Sequence, residues 1–191
     1  MPRPVLQVIA ASTRPGRRGI AVARWIQQLA EAHGGFDVEL VDLAEVELPI
    51  FDKPHHPRLR QYVNQHTKDW SATVDRADAF VFVTPEYNHS YPGVLKNALD
   101  YLAAEWADKP AAIASYGGVS AGVRAATALK PVLAALRMVP VVEAVSVPFF
   151  AQFIDDEDRF VPNAELEAGG KALLDELVRL TGLLRGRRVA A

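Results

Sequence analysis

Five short apolar runs punctuate the chain: Val5–Ala11, Phe36–Asp42, Ala79–Thr84, Ala111–Ser115 and Val139–Val147. The first, third and fourth are apolar at nearly every position, as expected for strands buried on both faces of a parallel sheet. The second and fifth carry Glu39 and Glu143 among apolar neighbours, which suits the edges of that sheet. Between the runs, apolar residues recur at helical spacing. Val22, Ile26, Leu29 and Ala30 form one stripe, and Val94, Leu95, Ala98, Leu99 and Leu102 form a second. Leu166, Leu173, Leu177, Leu180 and Leu184 mark a C-terminal helix. Asn163 is placed to cap it, with Glu165 and Glu167 in its first turn and Arg185 near its end, matching the helix dipole. Ser120 to Leu136 also reads as helix, and Pro131 predicts a kink or break inside it.

This alternation predicts one α/β domain over residues 1–191, a three-layer doubly wound parallel sheet with right-handed crossovers. Two longer connections stand out. Ala44–Pro57 contains Pro49, Pro54 and Pro57; Pro148–Pro162 holds Phe149, Phe150, Phe153 and the acidic run Asp155-Asp156-Glu157-Asp158.

Composition narrows the chemistry. A net charge of −2 offers no basic field to nucleic acid or to an anionic membrane surface. No apolar run approaches the roughly 20 residues of a membrane span, and Val5 to Ala11 is too short for a signal-peptide core. A cytoplasmic protein is the expectation. The chain has no cysteine, which removes disulfides, thiolate metal sites, iron–sulfur clusters and cysteine nucleophiles. Any redox chemistry must then come from a bound cofactor.

Two loops are richer than connection requires. After the first strand comes Ser12-Thr13-Arg14-Pro15-Gly16-Arg17-Arg18-Gly19, leading into a helix. Hydroxyls, glycines and guanidiniums at a helix N-terminus suit a phosphate. A polar turn with solvated arginines is the plainer alternative. The chain lacks both G-x-G-x-x-G and the Walker pattern here, which favours a single phosphate monoester over a dinucleotide or nucleoside triphosphate. After the third strand comes Thr84-Pro85-Glu86-Tyr87-Asn88-His89-Ser90-Tyr91-Pro92-Gly93, followed by Val94-Leu95-Lys96-Asn97-Ala98-Leu99-Asp100-Tyr101. Loops at the carboxyl ends of strands are where open α/β sheets bind ligands.

Ser12-x-Arg14, then Pro85-Glu86-Tyr87-Asn88-x-Ser90-x-Pro92-Gly93-x-Leu95-Lys96-Asn97-Ala98-Leu99-Asp100, then Ser115-x-Gly117-Gly118 together resemble the NADPH-dependent FMN reductase family. That group includes quinone, azo-dye and chromate reductases, and the likeness runs from about residue 5 to 147 in matching order. The resemblance implies a flavodoxin-like sheet of order 2-1-3-4-5, with FMN at the carboxyl ends of strands one, three and four. It implies that Ser12, Arg14 and Arg17, with backbone through Gly19 and Ile20, hold the phosphate. Pro85, Glu86, Tyr87, Asn88 and Ser90 would line one side of the isoalloxazine, and Ser115, Tyr116, Gly117 and Gly118 another edge. Many members carry Ser and Asn where this chain has Arg17 and Gly19. The resemblance also implies a homodimer or a dimer of dimers, with Asn97, Asp100 and Tyr101 free to face the partner.

The remaining candidates have plain readings. Glu86 reads as a brace for its loop in preference to an acid/base, because hydride transfer onto a flavin needs little such chemistry from the protein. Lys96 and Asp100 are spaced as an ordinary helix surface pair. His55-His56 lacks a completing ligand at metal spacing and reads as loop. His89 touches the redox pocket or faces solvent. Ser115 lacks the Gly-x-Ser-x-Gly context of a hydrolase nucleophile. Phe149, Phe150 and Phe153 read as packing or dimer contacts more than as a lid, the acidic run as a solvated loop, and Trp25, Trp70 and Trp106 as packing or interface groups.

The function implied is ping-pong hydride transfer from NADPH or NADH through bound FMN to a quinone-like or other small-molecule acceptor. Two alternatives stand beside it: a reductase supplying free reduced FMN to a monooxygenase, and a flavodoxin-like electron carrier. The balanced charge disfavours the carrier, which would need an acidic surface for a basic partner.

Overall fold

Alternation along the strands decides which side chains meet which helices. The computed structural model describes residues 2–188. Its strands are β1 (Val5–Ala10), β2 (Asp37–Asp42), β3 (Ala79–Pro85), β4 (Pro110–Tyr116) and β5 (Val139–Val147), all parallel and ordered β2-β1-β3-β4-β5. The helices are α1 (Ile20–His33), α2 (Leu43–Val46), α3 (Gln65–Asp75), α4 (Gly93–Asp100), α5 (Val123–Ala135) and α6 (Ala164–Arg188). Leu6, Val8 and Ala10 of β1 join Val81 and Val83 of β3 against α1 and α6, where Val22, Ile26, Leu173 and Leu177 are buried. Ile9, Phe80 and Phe82 point the other way, onto Trp70 of α3, Leu95 and Leu99 of α4 and Leu129 of α5. One apolar face per helix and two per strand give the three layers. The expected sheet order and layering are both present.

The edges carry the marks of edges. Strand β5 contains Pro140 and a register shift between Ala111 and Ile113 of its neighbour; a proline that cannot donate to the ladder is tolerated there. Helix α5 runs through Pro131 without a break and ends at Ala135, one turn later. Asn163 caps α6 through Leu166 N–H at 2.9 Å, as its position predicts.

The connection after β2 departs from expectation. It opens with the single turn α2, capped by Asp42, and then folds back along α4. Asn97 accepts from Phe51 N–H at 2.9 Å and donates to the Pro49 carbonyl at 2.7 Å. The fully buried Tyr101 donates to Asp52 at 2.9 Å, and its carbonyl accepts from Lys53 at 2.8 Å. Asn97 and Tyr101 therefore spend their polar groups within their own chain, because the proline-rich loop needs them to satisfy its backbone. Burial and the bond to Asp52 push the Tyr101 phenol up to about 12. Asp100 instead pairs with Lys96 at 2.5 Å on the helix surface.

Beneath that loop Glu105 is wholly buried, accepting from Tyr62 and Ser71 hydroxyls at 2.7 Å each. Next to it Trp106 packs on Trp70, Phe80 and Phe82 and donates its indole N–H to Leu99. Trp106→Ala should destabilise the fold by about 3–5 kcal/mol through the cavity it leaves, read as a lower urea midpoint; a change under about 1 kcal/mol would deny Trp106 its central place in this layer.

Candidate functional site

At the carboxyl ends of β1, β3 and β4 the chain encloses a cleft of about 740 Å³, within the ~300–1,000 Å³ range of small-molecule sites. Its first wall is the turn between β1 and α1. Helix α1 begins after Gly19 with no side-chain cap and no acidic residue in its first turn. Ala21 and Val22 N–H already bond the Arg18 and Gly19 carbonyls at 3.1 Å each, so the Gly19 and Ile20 N–H groups and the positive dipole end are what this start offers a ligand. Ser12, Arg14, Gly16, Arg17, Arg18 and Gly19 all line this wall.

The arginines differ in what holds them. Arg17 donates to both carboxylate oxygens of Asp42 and to the Ser12 carbonyl. Arg18 donates to Asp158 at 3.0 Å and to the Asp155 carbonyl at 3.4 Å. Arg14 is exposed, with no side-chain partner among the described residues. The acidic run is therefore more than a solvated loop. Asp155 also orders its own turn by accepting from the N–H groups of Glu157 at 3.0 Å and Arg159 at 2.8 Å.

The second wall is the loop after β3. Tyr87 and Ser90 exchange backbone hydrogen bonds of 2.8 and 3.0 Å around Asn88 and His89, both at positive φ. Two left-handed residues closing a two-residue turn match the twist of a tight hairpin, and Asn and His tolerate that conformation better than most. The turn holds Tyr87 up, and Tyr87 Oη meets Ser12 Oγ at 2.8 Å, joining the two walls. Glu86 accepts from Arg124 N–H at 3.2 Å and from its Nε at 2.6 Å. Burial works against the Glu86 charge, but bonds from Arg124 and Ser120 outweigh it and hold the carboxyl below its ordinary value. It acts as a brace across to α5.

The third wall follows β4. Gly117 and Gly118 accept from the Phe150 and Phe149 N–H groups at 3.1 and 3.0 Å, so residues 149–152 close that side of the cleft. The Tyr116 ring is nearly buried against Phe150, with centroids 4.9 Å apart, and its hydroxyl packs against Gly19. Burial pushes the Tyr116 phenol up from its ordinary value.

Among the residues singled out from sequence, Ser12, Arg14, Arg17, Gly19, Pro85, Glu86, Tyr87, Tyr116, Gly117 and Gly118 line the cleft. Ile20, Asn88, Ser90 and Ser115 lie outside its lining. Ile20 packs toward the α1–α6 layer, Asn88 and Ser90 shape the turn, and Ser115 donates to the Ala121 carbonyl at 2.9 Å beneath the floor. Gly16 and Arg18, part of the loop read as suiting a phosphate, also line the cleft, and so does the 149–152 segment, whose phenylalanines read as packing more than as a lid. The phenylalanines gave a signal, but only the fold shows that their loop returns to this edge. A larger groove, about 1020 Å³, lies between Lys53–Arg58 and the segments leading into β4 and β5. It opens at the amino ends of the strands, away from where open parallel sheets bind ligands. The uncapped helix opens into the smaller cleft.

Residues 5–152 match the family model for NADPH-dependent FMN reductases. The chain belongs to the NADPH-dependent FMN reductase family. Membership makes it an FMN-dependent NAD(P)H oxidoreductase. It is 41% identical to a Schizosaccharomyces pombe NAD(P)H-dependent FMN reductase over 149 residues, covering 76% of this chain and 74% of that one. It is 33% identical to a Solanum tuberosum NAD(P)H:quinone oxidoreductase over 129 residues, 64% of each chain. In fold it resembles FerB, the flavoenzyme NAD(P)H:(acceptor) oxidoreductase of Paracoccus denitrificans, at a TM-score of 0.74. That alignment covers 95% of this chain and 98% of FerB at 23% identity, a likeness of fold alone.

Gly19 is where the walls press closest. A Cβ there would overlap the Tyr116 hydroxyl and ring, and Tyr116 is fixed in the core. Gly19→Ala should cost about 1–3 kcal/mol as overpacking and weaken FMN binding, because relief requires moving either Tyr116 or the start of α1. Gly93→Ala, which meets nothing within 4 Å, is the control. Equal melting temperatures and equal FMN affinity for the two variants would show that this contact constrains nothing.

Proposed function

We propose that FMN sits in this cleft with its phosphate on the uncapped start of α1 and Arg14, and its ring between the 85–87 and 117–118 walls. The observation that carries the reading is convergence: a helix N-terminus rich in arginine opens into the same cleft as two walls lying far along the chain. Bound there, the flavin supplies two-electron hydride chemistry. The protein binds, orients and excludes water. Ser12 bonds the Tyr87 hydroxyl and Tyr116 packs against Gly19, which together set the angle between the phosphate wall and the ring wall. Glu86 holds the 84–93 loop against α5, so that the ring wall does not open when a substrate leaves.

NADPH or NADH and a quinone-like acceptor take turns at one exposed face, because the described residues form a single five-stranded sheet with this cleft at its carboxyl edge. The quinone class is supported by the potato relative's activity. A purified preparation should be yellow or become so with added FMN, and NADPH or NADH should bleach it. Initial rates at varied donor and acceptor should give parallel reciprocal lines. A protein that takes up no FMN, or lines that intersect, would overturn the cofactor or the alternating order respectively.

The reading includes a homodimer, or a pair of such dimers, working in the cytoplasm where reduced nicotinamide is supplied. Val94, Val119, Val123 and Phe149 stand exposed around the cleft end of the sheet and support a subunit contact there. Sedimentation should give at least twice the 20.9 kDa chain mass; a monomer at micromolar concentration would end that part of the proposal.

A further inference from the structure

Asp42 ends β2 and stands beside Ala10 in the β1–β2 register. Its side chain is 8% exposed, and Arg17, at 19%, is scarcely more open. Both Asp42 oxygens accept from the Arg17 fork, and Oδ1 also accepts from Ala44 N–H at 3.0 Å. The same guanidinium reaches the Ser12 carbonyl at the end of β1. One side chain thus spans acceptors at the ends of two neighbouring strands. Within the loop, Arg17 N–H donates to the Arg14 carbonyl at 3.1 Å, so the cross-link also fixes where Arg14 leaves the backbone.

We propose that Asp42 is a positioning residue for the phosphate loop: it holds Arg17 as a strand-to-strand cross-link and leaves direct charge contact with the flavin phosphate to Arg14 and the first amides of α1. The proposal rests on the FMN reading of the cleft. The competing arrangement has Arg17 swing from Asp42 to the phosphate. That would leave a nearly buried carboxylate without its cation, beside an arriving dianion, and both changes are unfavourable. Arg14 has no such partner to abandon. Holding the loop before the ligand arrives also lowers the ordering cost of binding. A lysine could not replace Arg17, because an ammonium cannot engage both carboxylate oxygens and the carbonyl in one rigid plane.

The test compares FMN with riboflavin, which lacks the phosphate, by quenching of flavin fluorescence on apo-protein. Asp42→Asn, Arg17→Ala and Arg17→Lys should each weaken FMN about tenfold or more, the scale of a lost charged hydrogen bond. Riboflavin affinity should change far less. The double variant Arg17→Ala/Asp42→Asn should be no weaker than either single change, since both remove one cross-link. Raising salt should weaken FMN binding to Asp42→Asn and Arg17→Ala as steeply as to the unaltered protein, but less steeply to Arg14→Ala. Three results would overturn the proposal: Arg17→Lys binding FMN like the unaltered protein, Asp42→Asn binding it more tightly, or equal losses for FMN and riboflavin. If Asp42→Asn loses its folded circular dichroism, Arg17→Lys and Arg17→Ala decide the matter. An unaltered protein that binds neither flavin would overturn the cofactor reading instead, an outcome distinct from all of these.

Discussion

Because β1 lies between β2 and β3, the chain leaving β1 turns to one side of it and the chain leaving β3 turns to the other. The two connections therefore diverge at the sheet's carboxyl edge and open a crevice that no side chain has to carve. Everything near the cleft depends on that reversal. The start of α1 is aimed into the gap because α1 must cover the face of the sheet bearing Leu6, Val8 and Ala10. The loop after β3 stands opposite because α4 must cover the other face, where Phe80 and Phe82 point. The cleft is the place where two packing obligations part company.

Polar groups then hold the gap to one shape. Ser12 bonds the Tyr87 phenol of the loop after β3, and Glu86 ties that loop to α5. Neither contact adds much as a lone hydrogen bond, whose net worth is about 0.5–1.5 kcal/mol. Their value lies in geometry: each joins segments that diverge from the sheet and would otherwise drift. Arg17 and Asp42 do the same between β1 and β2. The arginine-rich loop is consequently less positive toward a ligand than its composition suggests, since Arg17 and Arg18 each face a carboxylate of the chain.

Layering, strand positions and the edge placement of β2 and β5 were legible along the chain, because burial on one or two faces imposes a periodicity that each segment carries locally. The capping of α6 by Asn163 was legible for the same reason. Pro131 was misleading as a breaker, since α5 continues one turn past it. Tyr101, expected to be free for a partner, is instead wholly buried, and the Asn97 amide is taken up by the loop after β2. The loop after β2 folds back over both, and a fold-back leaves no periodic trace.

The cleft divides in the same way. Along the chain the loops after β1 and β3 stood out as richer than connection requires, and with the segment after β4 their resemblance to the NADPH-dependent FMN reductase family implied FMN as the ligand. Only the tertiary structure decided what each polar side chain does. It turned Arg17 onto Asp42, put Ser115 beneath the floor, made Asn88 and Ser90 a turn, and brought Phe149 and Phe150 to the rim. The physical reason is range. Hydrophobic patterning and turn chemistry act between residues a few positions apart, whereas a charged or hydroxyl group bonds to whichever partner the fold delivers within 3 Å.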